Sequence, residues 1–298
     1  MPTNSKMEIL ILGGAGMLGH KLFQHLRQQH PETYCTIRGS IYDDRLAKVG
    51  LFRSGHVVES IDATDFPRLE QLLLDTTPKV VINCIGIVKQ REEAKKAAPS
   101  IIVNALLPHQ LAQLCDRWGG RLIHFSTDCV FSGKRGNYRE EDFADADDVY
   151  GRTKYLGEVT TSRTITLRTS IIGRELLHQE SLLEWFLRQN HKRISGYTRA
   201  MYSGVTTNYM TRVVQNLIEE HPELCGLYQV TGQTISKYDL LVLLRQAYKL
   251  DVEITPDPNF FCDRSMKGDK FSQATGSVCP PWPELASELE HDDTRYQR

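Results

Sequence analysis

The chain is expected to fold as an α/β protein: a doubly wound parallel sheet, helices on both faces, with a smaller, discontinuous C-terminal lobe. Three observations predict this. Short apolar runs alternate with amphipathic stretches through the first 170 of 298 residues, the pattern of parallel strands joined by helical crossovers. A glycine-rich turn separates the first apolar run from the first amphipathic stretch. Beyond residue 172 the alternation loosens, leaving enough chain for a second unit. The main unit is assigned residues 1–172 and 203–232, and the smaller one residues 173–202 and 233–298.

Composition narrows the function classes. With 40% hydrophobic and 24% charged residues and a net charge of −1, the chain lacks the basic excess of a protein that binds nucleic acid or a membrane surface. No apolar run approaches the length of a membrane span, and the start, Met1-Pro-Thr-Asn-Ser-Lys6, has no signal-peptide character. The seven cysteines show neither CxxC nor Cys/His ligand spacing, so reduced thiols, no metal and a cytoplasmic location are expected.

In chain order, Met7-Glu-Ile-Leu-Ile-Leu12 reads as the first strand, and Gly13-Gly-Ala-Gly16-Met17-Leu18-Gly19 follows at once. Leu18, Leu22 and Leu26 then recur at helical spacing. Strand, glycine turn and helix form the setting of a dinucleotide site of the Rossmann kind. Glycines let the backbone approach a pyrophosphate, and the helix start offers free N–H groups. Gly13, Gly16, Met17, Leu18 and Gly19 are therefore candidate cofactor contacts; a glycine turn without ligand is the bland alternative. After the second strand, Thr33–Ile37, an acid for the ribose hydroxyls is replaced by Arg38-Gly39-Ser40. A guanidinium and a hydroxyl suit a 2′-phosphate, which favours NADPH, with NADH as the alternative; a merely solvated arginine competes with that reading.

Asp62-Ala63 follows the third strand, His56–Ser60, where an adenine edge would be met. Asn83-Cys84-Ile-Gly86 ends the fourth, Lys79–Cys84, where a glycine admits a cofactor close to the backbone. Ordinary strand-end turns are the competing accounts. Phe66–Leu74 reads as a helix, and Ile101–Trp118 as a longer one holding Asn104 and Pro108. Proline has no N–H, so the Asn104 carbonyl loses its partner four residues on. That oxygen would hold a water linked to a lysine on a neighbouring helix, or else mark a surface kink.

Arg121–Phe125 reads as a buried strand ending in Ser126-Thr127-Asp128, and an acidic run from Glu140 to Asp148 leads to Tyr150-Gly-Arg-Thr-Lys154. On a helix Tyr150 and Lys154 share a face. A nearby ammonium favours the phenolate and brings the phenol within reach of acid/base work at neutral pH. With 12 tyrosines and 14 lysines in 298 residues, chance alone gives about 0.6 such pairs. The hydroxyl-ended strand upstream and the glycine turn are what favour the catalytic reading. Thr164–Arg168 is the sixth strand. Beyond it, Ser181–Leu187 and Thr207–Glu219 read as helices, Leu227–Val230 as a strand, and Ser236 with Asp239 as the cap of a helix to Tyr248. Pro256-Asp-Pro258 opens what reads as a loop-rich tail.

These motifs resemble the extended short-chain dehydrogenase/reductases, and within them the dTDP-4-dehydrorhamnose reductase group. Gly13, Gly16 and Gly19 match the family's glycine motif, Tyr150 and Lys154 its Tyr-x-x-x-Lys, and Ser126-Thr127-Asp128-Cys-Val-Phe131 its Ser-Thr-Asp-x-Val-Phe signature. Tyr150–Glu158 is similar to the helix that follows it there, and Asp263-Arg264-Ser265 to a tail segment. The resemblance implies Thr127, Tyr150, Lys154 and Asn104 as the catalytic set, with the Asn104 carbonyl water closing a proton relay. It implies reduction of the 4-keto group of a dTDP- or UDP-linked deoxysugar, in deoxysugar biosynthesis for surface polysaccharide, and a homodimer. Tyr150 would protonate the alkoxide, Thr127 with Asp128 would meet the substrate, and Arg174 and Arg264 would hold its phosphates. For both arginines, surface ion pairs are the alternative.

Rivals share the fold. A sugar 4,6-dehydratase uses an acid pair after the threonine, and here Asp128 is followed by Cys129. An epimerase needs the same catalytic set. A non-catalytic regulatory subunit, such as the beta subunit of methionine adenosyltransferase, resembles the same group. The segment Arg174–Met201 departs most from the pattern and leaves nucleotide and sugar open.

Overall fold

The computed structural model describes residues 7–88, 96–177 and 179–292 together with Thr294 and Tyr296; the Met1–Lys6 start lies outside the described residues. Seven parallel strands form the main sheet: β1 (Ile9–Leu12), β2 (Thr33–Thr36), β3 (Val57–Val58), β4 (Val80–Asn83), β5 (Arg121–Thr127), β6 (Thr164–Thr169) and, much later, β10 (Gly226–Gln229), in the order β10-β6-β5-β4-β1-β2-β3. All seven are strands the sequence marks; β1, β2, β4, β5 and β6 are buried along their whole length, while β3 is half-buried and β10 is half-buried at its start.

Alternate residues of β1 enter opposite cores. Ile9 and Ile11 pack with Leu22 and Leu26 of α1 (Met17–Gln29) and with Val213 and Leu217 of α8 (Thr207–Glu219). Leu10 and Leu12 pack with Leu69 and Leu73 of α3 (Phe66–Thr76) and Leu111 of α5 (Leu107–Trp118). The short α2 (Asp44–Val49) and α4 (Ala97–Ser100) complete the helices before β5. The order reverses beside β1, between β4 and β2, so the carboxyl ends of the strands open a crevice there.

The expected long helix over 101–118 is interrupted. Ile101–Leu106 is a π-helical turn, the Leu107 N–H reaching back to Ile102 O, and α5 begins only at Leu107 with Pro108 in its first turn. A proline cannot donate inside a helix, and the wider turn absorbs the change of register just before it.

The second lobe corrects the sequence reading more sharply. Residues from Pro256 onward are not a loop-rich tail. Glu253–Asp263 is an 11-residue strand, β12, parallel to the 10-residue β8 (Arg193–Tyr202), with β11 (Ile235–Ser236) on the other side of β8. β12 is an edge strand whose register shifts between Asp257 and Phe261. Edges and bulges are where a sheet accepts proline. Against this sheet packs α9 (Lys237–Ala247), its start capped by Ser236 Oγ, which accepts from Asp239 N at 3.0 Å. Two further short strands, β7 (Ile171–Ile172) and β9 (Val205–Thr206), pair beside the main sheet. The helices α6 (Val149–Leu156) and α7 (Leu182–Leu187) precede this lobe's sheet, and α10 (Asp269–Thr275) and α11 (Trp282–Glu290) close the chain.

Candidate active site

A cleft of ≈ 510 Å³ lies at the carboxyl ends of the central strands. One wall is Gly16, Met17 and Leu18; the floor is Asn83–Val88, Phe125 and Thr127; Tyr150 and Lys154 stand on the second wall; Tyr202, Lys237, Phe260 and Arg264 come from the smaller lobe.

The glycine wall fits a dinucleotide. Gly13 takes φ 85°, and a Cβ on Gly19 would fall 2.2 Å from the Gly13 carbonyl oxygen, so the turn closes only with glycine there. The α1 start has no side-chain cap and no acid in its first turn. Its N–H groups are left for an anion, and Met17 and Leu18 line the cleft there.

Thr127 ends β5, with its Oγ1 donating to Asp128 Oδ1 at 3.0 Å and accepting from Cys129 N at 3.1 Å. Its hydroxyl also stands close enough to the Tyr150 phenol to act on its pKa. Burial holds the Tyr150 phenol above its usual range, reinforced by Cys129 and by Asp128 and Asp148, while Thr127 opposes the shift. Tyr150 is therefore protonated at neutral pH. The sequence reading expected Lys154 to pull that phenol down; instead Lys154 Nζ donates to the Phe125 carbonyl at 2.6 Å. Burial lowers the Lys154 ammonium to about 8, partly offset by Glu158. Glu158 itself belongs to a buried cluster behind the site. Its Oε1 accepts from Ser126 Oγ and Arg168 Nε, and its Oε2 from Arg168 Nη2, each at 2.7 Å. The Arg168 guanidinium, 2% exposed, also donates to Glu140 O and covers the Phe131 ring.

Asn104 stands behind the floor rather than in the cleft. Its carboxamide accepts from Ile87 N at 2.9 Å and donates to Ile87 O at 3.1 Å, clamping the strand extension that carries Cys84 and Gly86 into the cleft. Its carbonyl oxygen is covered by the end of α6: a Cβ on Gly157 would fall 2.0 Å from it. Of the other expected contacts, Asp128 and Arg264 line the cleft, and Arg264 Nε is anchored on Phe131 O at 2.7 Å. Arg174 does not line it. Its Nε pairs with Glu184 Oε1 at 2.6 Å and its guanidinium stacks on Tyr296, the ion-pair alternative.

Arg38, Ser40, Asp62 and Ala63 lie outside the cleft, at the ends of β2 and β3. Asp62 Oδ1 accepts from Thr64 N and Oγ1 as a turn, which lowers its carboxyl, with a smaller contribution from Arg38. Ser40 Oγ donates to Glu59 Oε1 at 2.6 Å. Sequence reasoning missed Tyr202 and Phe260, which lie on strands it did not mark, Lys237, the first residue of α9, and the carboxylates Glu59 and Glu158. Among the described residues there is no cluster of metal-ligating side chains, and no helix is long and apolar enough to cross a membrane.

The chain is similar in sequence and fold to several known proteins. The chain is 33% identical over 150 residues to a dTDP-4-dehydrorhamnose reductase of Streptomyces griseus, a match spanning 50% of this chain and 43% of that protein. It is 24% identical over 259 residues to the spore coat polysaccharide biosynthesis protein SpsK of Bacillus subtilis, covering 83% of this chain and 81% of that one. It is also 26% identical to mouse methionine adenosyltransferase 2 subunit beta, over 81% of this chain and 72% of that one. The solved dTDP-4-dehydrorhamnose reductase of Bacillus anthracis, in complex with NADP, superposes with a TM-score of 0.78 at 20% identity, covering 96% and 99% of the two chains. A profile of the RmlD substrate binding domain matches residues 7–259, and the chain belongs to that family.

Proposed function

We propose that the protein is a nicotinamide-dependent reductase of the 4-keto group of a nucleotide-activated deoxysugar. The observation that carries this is the convergence of Thr127, Tyr150 and Lys154 on one cleft, between the glycine wall and the smaller lobe. The reductases and the polysaccharide-biosynthesis protein among its relatives support it. A bound dinucleotide supplies the hydride. Tyr150, held protonated, gives its proton to the developing alkoxide, and the Thr127 hydroxyl holds the keto oxygen beside the phenol. The Lys154 ammonium, fixed on the Phe125 carbonyl, would bind the ribose hydroxyls of that dinucleotide. Asn104 acts by fixing the Gly86–Ile87 wall. Arg264, with Lys237 from the other side of the smaller lobe, meets the substrate diphosphate. Residues 173–202 and 233–298 form the substrate lobe in this reading, the product serves surface polysaccharide, and the working form is a homodimer.

The second reading, a regulatory subunit, draws on the similarity to methionine adenosyltransferase 2 subunit beta. One experiment separates the two. The protein is mixed with NADPH or NADH and dTDP- or UDP-4-keto-6-deoxysugars, and reduced nicotinamide is followed by absorbance. Oxidation that falls by about 10²–10⁴-fold in Tyr150→Phe, with dinucleotide binding kept, is the expected result. Dinucleotide binding without turnover of any keto-sugar favours the regulatory subunit.

A further inference from the structure

The ends of β1, β2 and β3 form one ledge. Gly14 N donates to Thr36 O at 2.7 Å and Gly13 N to Thr36 Oγ1 at 3.1 Å, which ties the glycine turn to the end of β2. Ile37 N reaches Val58 O, Ser60 N reaches Gly39 O and Ile61 N reaches Ile37 O, so the exits of β2 and β3 are held together as well. Dinucleotide folds of this kind read the 2′ position of the adenosine ribose at the end of β2. Here no acid stands on β2. From β3, Glu59 reaches across instead: its Oε1 accepts from Ser40 Oγ and from Ile41 N, both at 2.6 Å.

Those bonds have two consequences. First, they favour the charged form, the Ser40 hydroxyl most and the Ile41 amide next, so the carboxyl lies below its usual range and the ledge carries a negative charge at neutral pH. Second, the Ser40 proton is committed to that carboxylate. The hydroxyl expected to donate to a 2′-phosphate turns its proton away from one. Arg38, exposed two residues before Ser40, is the opposing charge.

We infer that Glu59 is the residue that reads the ribose 2′ position, accepting from a 2′-hydroxyl and disfavouring a 2′-phosphate, against the pull of Arg38. This rests on the reading of the chain as a nicotinamide-dinucleotide protein. It makes preference between the two dinucleotides a balance of Glu59 against Arg38, which the Arg38-Gly39-Ser40 segment alone does not set.

The test is binding, measured on the full chain by calorimetry or nicotinamide fluorescence with NADH and NADPH separately. Glu59→Gln keeps the size and an acceptor for Ile41 N while removing the charge. The NADPH Kd is expected to fall about tenfold relative to the NADH Kd, the size of a unit charge removed a few ångströms from a phosphate in largely aqueous surroundings. Glu59→Thr, a second way to remove the charge, must shift the ratio in the same direction should the glutamine variant fold poorly. Arg38→Gln must shift it the other way. A ratio unmoved in the Glu59 variants, or both constants changed by one factor, overturns the role of Glu59 and leaves the cofactor reading standing. Unmodified protein that binds neither dinucleotide overturns both.

Discussion

Replacing Glu158 by leucine should be among the most damaging single changes outside the cleft. The carboxylate side chain is 6% exposed and its partner Arg168 2% exposed, and three 2.7 Å bonds from Arg168 and Ser126 converge on it. The leucine leaves a guanidinium buried with only the Glu140 carbonyl and the Phe131 ring as neighbours of opposite character. Breaking a buried pair from one side costs about 3–5 kcal/mol. At about 2–3 °C per kcal/mol for a chain of this size, the thermal midpoint should fall by roughly 6–15 °C. Circular dichroism melts, supported by urea titration, measure it. The double variant Glu158→Leu with Arg168→Met should recover more than half of the loss, because apolar groups of similar size leave no unpaired charge. A single-variant loss below about 1 kcal/mol, or a double variant no better than the single, would refute the argument.

Two further outcomes follow from the site. Lys154 is depressed from 10.5 to about 8 by burial, so turnover should hold below about pH 8 and decline above it as the ammonium is lost. The sign for stability is opposite: between about 8 and 10.5 the unfolded chain carries more protons than the folded one, so stability rises with pH across that window. A pH–rate profile and pH-dependent melts of the unmodified chain and of Lys154→Met check both, and the variant should lack the stability rise. Gly157→Ala puts a methyl 2.0 Å from the Asn104 carbonyl, which forces α6 away from the π-helical turn. A loss of about 1–3 kcal/mol and a lower kcat are expected, read from melts and from keto-sugar turnover.

Much of the main sheet is legible because buried parallel strands are continuous apolar runs and the glycine turn punctuates the first of them. Thr127, Tyr150 and Lys154 are legible for a related reason: a strand end and one helical turn place them by local geometry. The lysine's actual anchor is not, since the Phe125 carbonyl is backbone and leaves no mark in the sequence. Arg174 illustrates a signal that was present but unused. Glu184 sits inside the apolar run Leu182–Leu187, and an acid in such a run announces a buried partner. The missed β12 hides behind Pro256 and Pro258, which forbid a central strand yet not an edge strand with a register shift. With β12 read as loop, Phe260 had no reason to be placed at the cleft.

The late arrival of β10 has a consequence for how the molecule is made. The main sheet needs Gly226–Gln229 to cover β6, but the chain first lays down β8, which belongs to the other lobe and must wait for Glu253–Asp263 to pair along its length. Each sheet therefore holds an unpaired edge until chain synthesised after its neighbour's strands has emerged. The two lobes become mutually dependent on the order of synthesis, and a nascent chain halted between residues 202 and 226 exposes strand edges from both at once.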